Sequence, residues 1–187
     1  LEPLGCQIIW GDRSCRIALA SPETENQHTN IRKMIQRALV IGPDHPERFV
    51  CLVELGNIEA REKNYREAMT TYGKLLRDAI LSQEALPAAY NLGLMHLHFG
   101  DRKAARDLFQ NVADRDLQGK WAALAHFWAG RASLENDDLD LAASSFQRSM
   151  NAASQSEAGV ASALGLAQVR LFLGEYAEAR AVLRPHK

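Results

Sequence analysis

The chain has 187 residues, of which 47% are hydrophobic and 24% are charged, a composition typical of a folded globular protein. Its 22 basic and 23 acidic side chains leave a formal net charge of -1, which argues against a general nucleic-acid binder, because such proteins need a basic face. No apolar run in the sequence approaches the roughly 20 residues that span a bilayer, so we expect no direct membrane insertion.

The N-terminus lacks the basic-then-apolar order of a secretory signal. This favours a cytoplasmic protein, although the sequence does not identify the compartment. Because Leu1 stands where Met is expected, we interpret the chain as a processed form or a piece of a longer protein. The three cysteines form no CxxC pair, so the sequence predicts reduced thiols instead of a disulfide framework or a zinc site.

Residues 1–48 are predicted to form a degenerate first unit with one clear helix, at about residues 22–41. The first twenty residues leave two alternatives open. They could form two short strands around Gly11-Asp12 or two short helices of a decayed hairpin, because short apolar runs are ambiguous by periodicity alone.

Residues 49–187 contain an internal repeat with a period of 37 residues. Each full unit has a glycine, an alanine twelve residues later and an aromatic residue four positions further on. In chain order these positions hold Gly56, Ala68 and Tyr72, then Gly93, Ala105 and Phe109, and then Gly130, Ala142 and Phe146. In the last unit, Ala167 replaces the glycine and Leu183 replaces the aromatic residue.

Apolar residues within each unit recur three and four positions apart in two stretches, with a polar or glycine-containing turn between them. This pattern predicts an antiparallel pair of helices, and hence an all-α fold of stacked helix hairpins. The four predicted repeats are residues 49–85, 86–122, 123–159 and 160–187. We interpret the small glycine and alanine residues as allowing the two helix backbones of a hairpin to approach closely.

The recurring glycine, alanine and aromatic positions resemble the tetratricopeptide repeat family. Some residues depart from its pattern: Glu59 and His96 stand where that family has a tyrosine, and the family period is 34 residues instead of 37. The resemblance implies a right-handed α-solenoid. It also implies a concave face that is lined by the first helix of each unit and binds partners.

The resemblance further implies that the second, fifth, ninth, twelfth and thirteenth residues of each unit line the concave face. In the last two units these residues are Leu124, Phe127, Arg131, Leu134, Glu135, Ala161, Leu164, Gln168, Leu171 and Phe172. Polar and amphipathic residues are the better candidates for partner contact, since an inner-face leucine more often belongs to the core between helices. The candidate partner-binding residues are Asn57, Arg61, Tyr90, Leu94, His98, Phe127, Arg131 and Gln168.

No catalytic signature is present: the sequence lacks a GxxxxGK phosphate loop, a GxGxxG turn, an HExxH helix and a nucleophile elbow. His96 and His98 are two residues apart on a predicted helix, so they face different directions and are unsuited to binding one metal ion. We therefore predict no enzyme activity, no cofactor and no metal. The predicted function is a protein-protein interaction module or scaffold.

The predicted groove is mostly apolar, which suits a helical or extended segment of another protein. A homo-oligomer formed through the end repeats is a further expectation, because the last repeat of a solenoid exposes its stacking face. The alternative function is a regulatory or sensor domain of a larger transcription regulator or enzyme. RNA binding is a third reading, since helical repeats can bind one base each, but the near-neutral charge argues against it.

Overall fold

The computed structural model describes residues 6–11, 14–19, 32–33, 35–37, 39–40, 48–79, 83–116, 119 and 121–184. The chain divides into two compact units, Leu1–Ala88 and Ala89–Lys187. From here on, the first unit and the second unit mean these two parts of the chain, and the 37-residue units of the sequence are called repeats. In the helix predicted at about residues 22–41, the described residues are helical, and the remainder of that prediction lies outside the described residues.

The N-terminal residues form a β-hairpin of two antiparallel strands, β1 (Cys6–Gly11) and β2 (Ser14–Leu19). The register pairs Cys6 with Leu19 and Gly11 with Ser14. Of the two alternatives that the sequence left open, the strands are the one observed. Six residues are too few for a stable isolated helix, whereas β-branched and aromatic residues favour strands. This hairpin is the exception to the helical architecture of the repeats.

Eight α-helices follow from residue 48 onward in the described part of the chain. They are α1 (Arg48–Arg61), α2 (Tyr65–Ala79), α3 (Leu86–His98), α4 (Arg102–Arg115), α5 (Ala122–Glu135), α6 (Leu139–Ala153), α7 (Glu157–Phe172) and α8 (Tyr176–Leu183). A short 3-10 helix, Gln83–Ala85, precedes α3.

In the first unit, α1 packs against α2 around the fully buried Tyr72. The tyrosine ring lies directly against Gly56, where a Cβ atom would be only 2.4 Å from Tyr72 Cε1. The Tyr72 hydroxyl donates a hydrogen bond of 2.7 Å to Asn57 Oδ1. Arg48 and Asp78 form an ion pair of 2.5 Å between the first residue of α1 and the end of α2.

In the second unit, α5 packs against α4, α6 and α7. Phe146 of α6 is fully buried and faces two glycines, one on each neighbouring helix. A Cβ atom on Gly130 would lie 2.7 Å from Phe146 Cδ1, and one on Gly165 would lie 2.6 Å from Phe146 Cζ. Phe146 forms the core cluster of this unit with Ala142, Leu166 and Val169.

The recurring glycines make room for aromatic rings. Gly93 shows the same arrangement as Gly56 and Gly130, since its Cβ atom would lie 2.8 Å from Phe109 Cε1. The sequence interpretation gave the glycines a role in bringing helix backbones together. The contacts show that the space left by the missing side chain is occupied by the aromatic residue sixteen positions later.

Four turns between paired helices close in the same way, each with one residue in the left-handed conformation. These residues are Lys63, Gly100, Asp137 and Gly174, spaced 37 residues apart, with φ angles of 63°, 81°, 59° and 78°. In each turn, the backbone N–H of the next residue donates to a carbonyl five residues earlier, as Asp138 does to Ser133 at 2.9 Å. This is the Schellman motif, which satisfies the last carbonyl groups of a helix.

Candidate functional site

A surface pocket of about 520 Å³ lies in the second unit, between α5, the start of α6 and α7. Its lining combines apolar and polar side chains, and all of it belongs to residues 89–187. The lining residues are Arg131, Leu134, Glu135, Asp137, Leu139, Gln168 and Phe172. We refer to this site as the α5–α7 pocket.

Helical spacing explains why these side chains share one pocket. Arg131, Leu134 and Glu135 are three and four residues apart on α5, so they lie on one face of that helix. Gln168 and Phe172 are four residues apart on α7 and likewise share a face. Because α5 and α7 contact each other directly, the two faces border one depression.

The floor of the α5–α7 pocket is fixed by the core beneath it. Leu134 and Leu139 are partly buried and pack against the cluster that contains Phe146. Phe172, in contrast, is 63% exposed, so a large apolar ring stands at the edge of the pocket with most of its surface in solvent. The pocket therefore offers apolar surface that another molecule could cover.

The charged residues of the α5–α7 pocket differ in whether they are paired. Glu135 lies 3.4 Å from the Arg131 guanidinium and 3.5 Å from the Arg102 guanidinium. Asp137 lines the pocket and forms no ion pair or side-chain hydrogen bond with any residue in the described ranges. The lining has one basic residue, Arg131, and two acidic residues, Glu135 and Asp137, while the Arg102 guanidinium beside Glu135 lies outside the lining.

The structure brings together two of the predicted site residues, Arg131 and Gln168, in the α5–α7 pocket. Phe127 lies one turn before Arg131 on α5, but it is partly buried and packs against Phe146 with ring centroids 6.2 Å apart. Leu94 on α3 is half-buried. His98, the last residue of α3, is exposed, and its ring lies 5.1 Å from that of Phe99.

Tyr90 belongs to an aromatic cluster inside the second unit. It is 9% exposed, and its ring centroid lies 5.6 Å from that of Phe109 and 5.3 Å from that of Trp121. Burial raises the pKa of the Tyr90 phenol, and the Trp128 indole offsets part of that rise. Tyr90 was predicted as a partner-binding residue, and in the structure its ring packs between α3, α4 and the start of α5.

The remaining two predicted residues, Asn57 and Arg61, belong to α1 in the first unit. Asn57 accepts the hydrogen bond from the buried Tyr72 hydroxyl, so its amide supports the hairpin core. Arg61 is exposed at the C-terminal end of the helix.

Sequence reasoning missed two residues of the α5–α7 pocket, Asp137 and Leu139. Both follow α5 in the chain, in the turn and at the start of the next helix, and so lie outside the first-helix positions that the resemblance assigns to the concave face. The available signal was the turn alignment, because glycine occupies the positions 37 residues before and after Asp137.

Within the residues that the structure describes, no helix is both long and apolar enough to cross a membrane. The same residues contain no group of three or more histidine, cysteine, aspartate or glutamate side chains arranged to hold a metal ion.

Comparison with known proteins identifies the repeat. A family model described as a tetratricopeptide repeat-like domain matches residues 61–187. None of the curated proteins compared with the chain matches it in sequence.

Several solved structures share the fold at low sequence identity. MamA, in its crystal structure, shares 15% sequence identity with this chain at a TM-score of 0.71, and the match covers 86% of this chain and 86% of the MamA chain. A tetratricopeptide repeat protein from Parabacteroides merdae is 14% identical with a TM-score of 0.69, covering 87% of this chain and 61% of its own. BtubC (BKLC) from P. vanneervenii is 14% identical with a TM-score of 0.71, covering 85% and 71%. These similarities confirm the predicted solenoid class of paired helices.

Proposed function

The chain belongs to the tetratricopeptide repeat-like domain family, and on this basis we propose that it is a noncatalytic interaction module that binds a segment of another protein in the α5–α7 pocket. The fold of this family is a repeat scaffold suited to protein interactions. The observation that carries the proposal is the pocket itself, which brings Arg131 and Gln168 together beside the exposed ring of Phe172.

The chemistry of the α5–α7 pocket suits a polypeptide better than a small polar metabolite. An apolar side chain of the partner can pack against Leu134 and Phe172, which removes the exposed Phe172 ring from water. The Gln168 amide, which both donates and accepts hydrogen bonds, can pair with a peptide group of the same segment. Arg131 adds further donors at the rim of the pocket.

Surface along α7 extends the proposed contact beyond the α5–α7 pocket. Leu164 and Leu171 are 60% and 51% exposed, and they lie four residues before and three residues after Gln168. With Phe172, this spacing places apolar side chains along one stripe of the helix. A helical or extended partner segment of a few turns would cover this stripe as well as the pocket.

Site-specific photo-crosslinking tests the location of binding. A photoreactive amino acid at position Gln168 should crosslink to one polypeptide segment in an extract of the source cells. Gln147 provides a matched control, because it is also an exposed glutamine but lies on α6 outside the pocket lining. Equal crosslinking at both positions, or none at either, would contradict the proposed site.

The segment identified by crosslinking then allows a quantitative test. We expect Phe172→Ala to weaken its binding about tenfold, the loss of roughly 1.4 kcal/mol that truncation of a contacting aromatic residue causes. Because the Phe172 ring is 63% exposed, the helical circular dichroism should not change. Unchanged affinity would place the binding surface elsewhere.

A second proposal concerns self-association through the last hairpin. Leu173, Tyr176 and Leu183 are 42%, 72% and 36% exposed, so apolar surface remains open on the last turn and α8. We propose that a second copy covers this surface at high protein concentration. Sedimentation velocity should show a concentration-dependent dimer that Tyr176→Lys weakens, and a strictly monomeric wild-type chain at high concentration would exclude it.

A further inference from the structure

The four equivalent turns differ in the residue that adopts the left-handed conformation. Glycine does so in two of them, at Gly100 and Gly174, whereas Lys63 and Asp137 are L-residues with φ angles of 63° and 59°. Glycine enters this region without steric cost, while a side chain makes it less favourable. Asp137 therefore places a carboxylate at a turn position that glycine occupies in two of the other three turns, and aspartate is among the L-residues that adopt this conformation most readily.

Asp137 is one of the residues that line the α5–α7 pocket. The carboxylates on either side are already neutralised: Glu135 lies within 3.5 Å of both the Arg102 and Arg131 guanidinium groups. Asp138 accepts hydrogen bonds of 3.1 Å from Arg106 and 2.8 Å from Asn136. Within the described residues, Asp137 thus supplies the unpaired charge of this turn.

We propose that Asp137 binds a lysine or arginine side chain of the partner segment, next to an apolar partner residue that packs against Leu134, Leu139 and Phe172. The partner is thus a basic and apolar segment, which complements the unpaired Asp137 carboxylate and the apolar side chains of the lining. This inference rests on the proposed function of the pocket. Arg131 does not favour an acidic partner, because its guanidinium already pairs with Glu135.

The repeat itself supplies variants that keep the turn intact. Asp137→Gly installs the residue found in the turns before and after it, so its melting temperature should equal or exceed that of the wild type. Asp137→Lys reverses the charge and has a precedent in Lys63, which adopts the same conformation. Lys63→Gly is the matched control, since it makes the same backbone exchange in the first unit, outside the pocket lining.

The probe is a displayed library of random twelve-residue peptides, selected on the wild-type chain and on each variant. The wild type should enrich peptides with a lysine or arginine near a leucine, isoleucine or phenylalanine. For synthesised peptides from that pool, Asp137→Gly should weaken binding about two- to fivefold, the range of an exposed ion pair. Added salt should shrink this difference by screening the charges.

Asp137→Lys should shift the selection toward acidic peptides, and Lys63→Gly should select the same peptides as the wild type. Enrichment of neutral or acidic peptides by the wild type, or equal affinity for Asp137→Gly, would overturn the role of Asp137 but leave the binding module in place. A wild-type chain that enriches no peptide at all would overturn the proposed function together with this inference.

Discussion

Replacing Gly165 with alanine probes how tightly Phe146 is packed between two helices. A Cβ atom at residue 165 would lie 2.6 Å from Phe146 Cζ and 2.8 Å from each Cε atom. Carbon atoms in good contact are about 3.5–4.0 Å apart, so the ring or α7 must move. The ring has little room to retreat, because it is fully buried and also lies against Gly130 on α5.

Two opposing effects set the size of the change. Overpacking of a core costs about 1–3 kcal/mol, whereas alanine in place of glycine within a helix stabilises it by about 1 kcal/mol. We therefore expect Gly165→Ala to lower the free energy of unfolding by about 1 kcal/mol. For a chain of this length, the melting temperature should fall by about 2–4 °C.

Thermal unfolding followed by circular dichroism measures this effect. Gly73→Ala is the control, because the nearest atom to its added Cβ is Arg77 Nη1 at 3.8 Å, and it should raise the stability by up to about 1 kcal/mol. Phe146→Leu removes the ring atoms that crowd residue 165, so Gly165→Ala should become neutral or stabilising in that background. Equal stabilisation of the wild type by Gly165→Ala and Gly73→Ala would refute the packing argument.

Three other predictions concern single polar groups. Burial and the nearby Arg148 charge lower the pKa of His126, so the unfolded state binds a proton more tightly than the folded state does. The free energy of unfolding should therefore fall as the pH drops below about 6.5. In urea unfolding measured as a function of pH, His126→Gln should reduce this loss. Burial raises the pKa of Glu59 despite its hydrogen bond from Thr71, so the free energy of unfolding should fall as the pH rises through the folded-state pKa. Glu59→Gln should therefore raise the melting temperature at pH 8. A higher melting temperature for the wild type at that pH would contradict this. The Asp116 carboxylate accepts hydrogen bonds from two backbone N–H groups at the start of α5. Asp116→Ala should therefore lower the free energy of unfolding by about 1–2 kcal/mol, measured by thermal unfolding. An unchanged free energy would mean that these hydrogen bonds do not stabilise the fold.

The paired helices of the repeats were predictable because their signals are local. Apolar residues three and four apart predict a helix face, and the exact return of the glycine, alanine and aromatic positions predicts repeated hairpins. The β-hairpin at residues 6–19 was not predictable from periodicity, because the spacing of apolar residues in a six-residue run does not distinguish a short strand from a short helix segment.

The sequence predicted only some of the residues that line the α5–α7 pocket. Periodicity placed Arg131 and Gln168 on the first helices of their 37-residue repeats, and both line the α5–α7 pocket. The same periodicity does not reveal that Tyr90 is enclosed by Phe109 and Trp121, since those rings come from other segments of the chain. It also does not reveal that Asp137 lines the pocket, because a turn residue has no helix face.

The sequence by itself determined the period of 37 residues, the helix pairs and the small residues that each pair requires, since these follow from the spacing of neighbouring side chains. Only the tertiary structure decided which ring fills the space beside each glycine, which candidate residues remain exposed and which carboxylate is left unpaired. Those outcomes depend on contacts between helices that are more than ten residues apart in the chain. Such contacts are set by the packing of whole side chains against one another, which a local pattern of residue types does not specify.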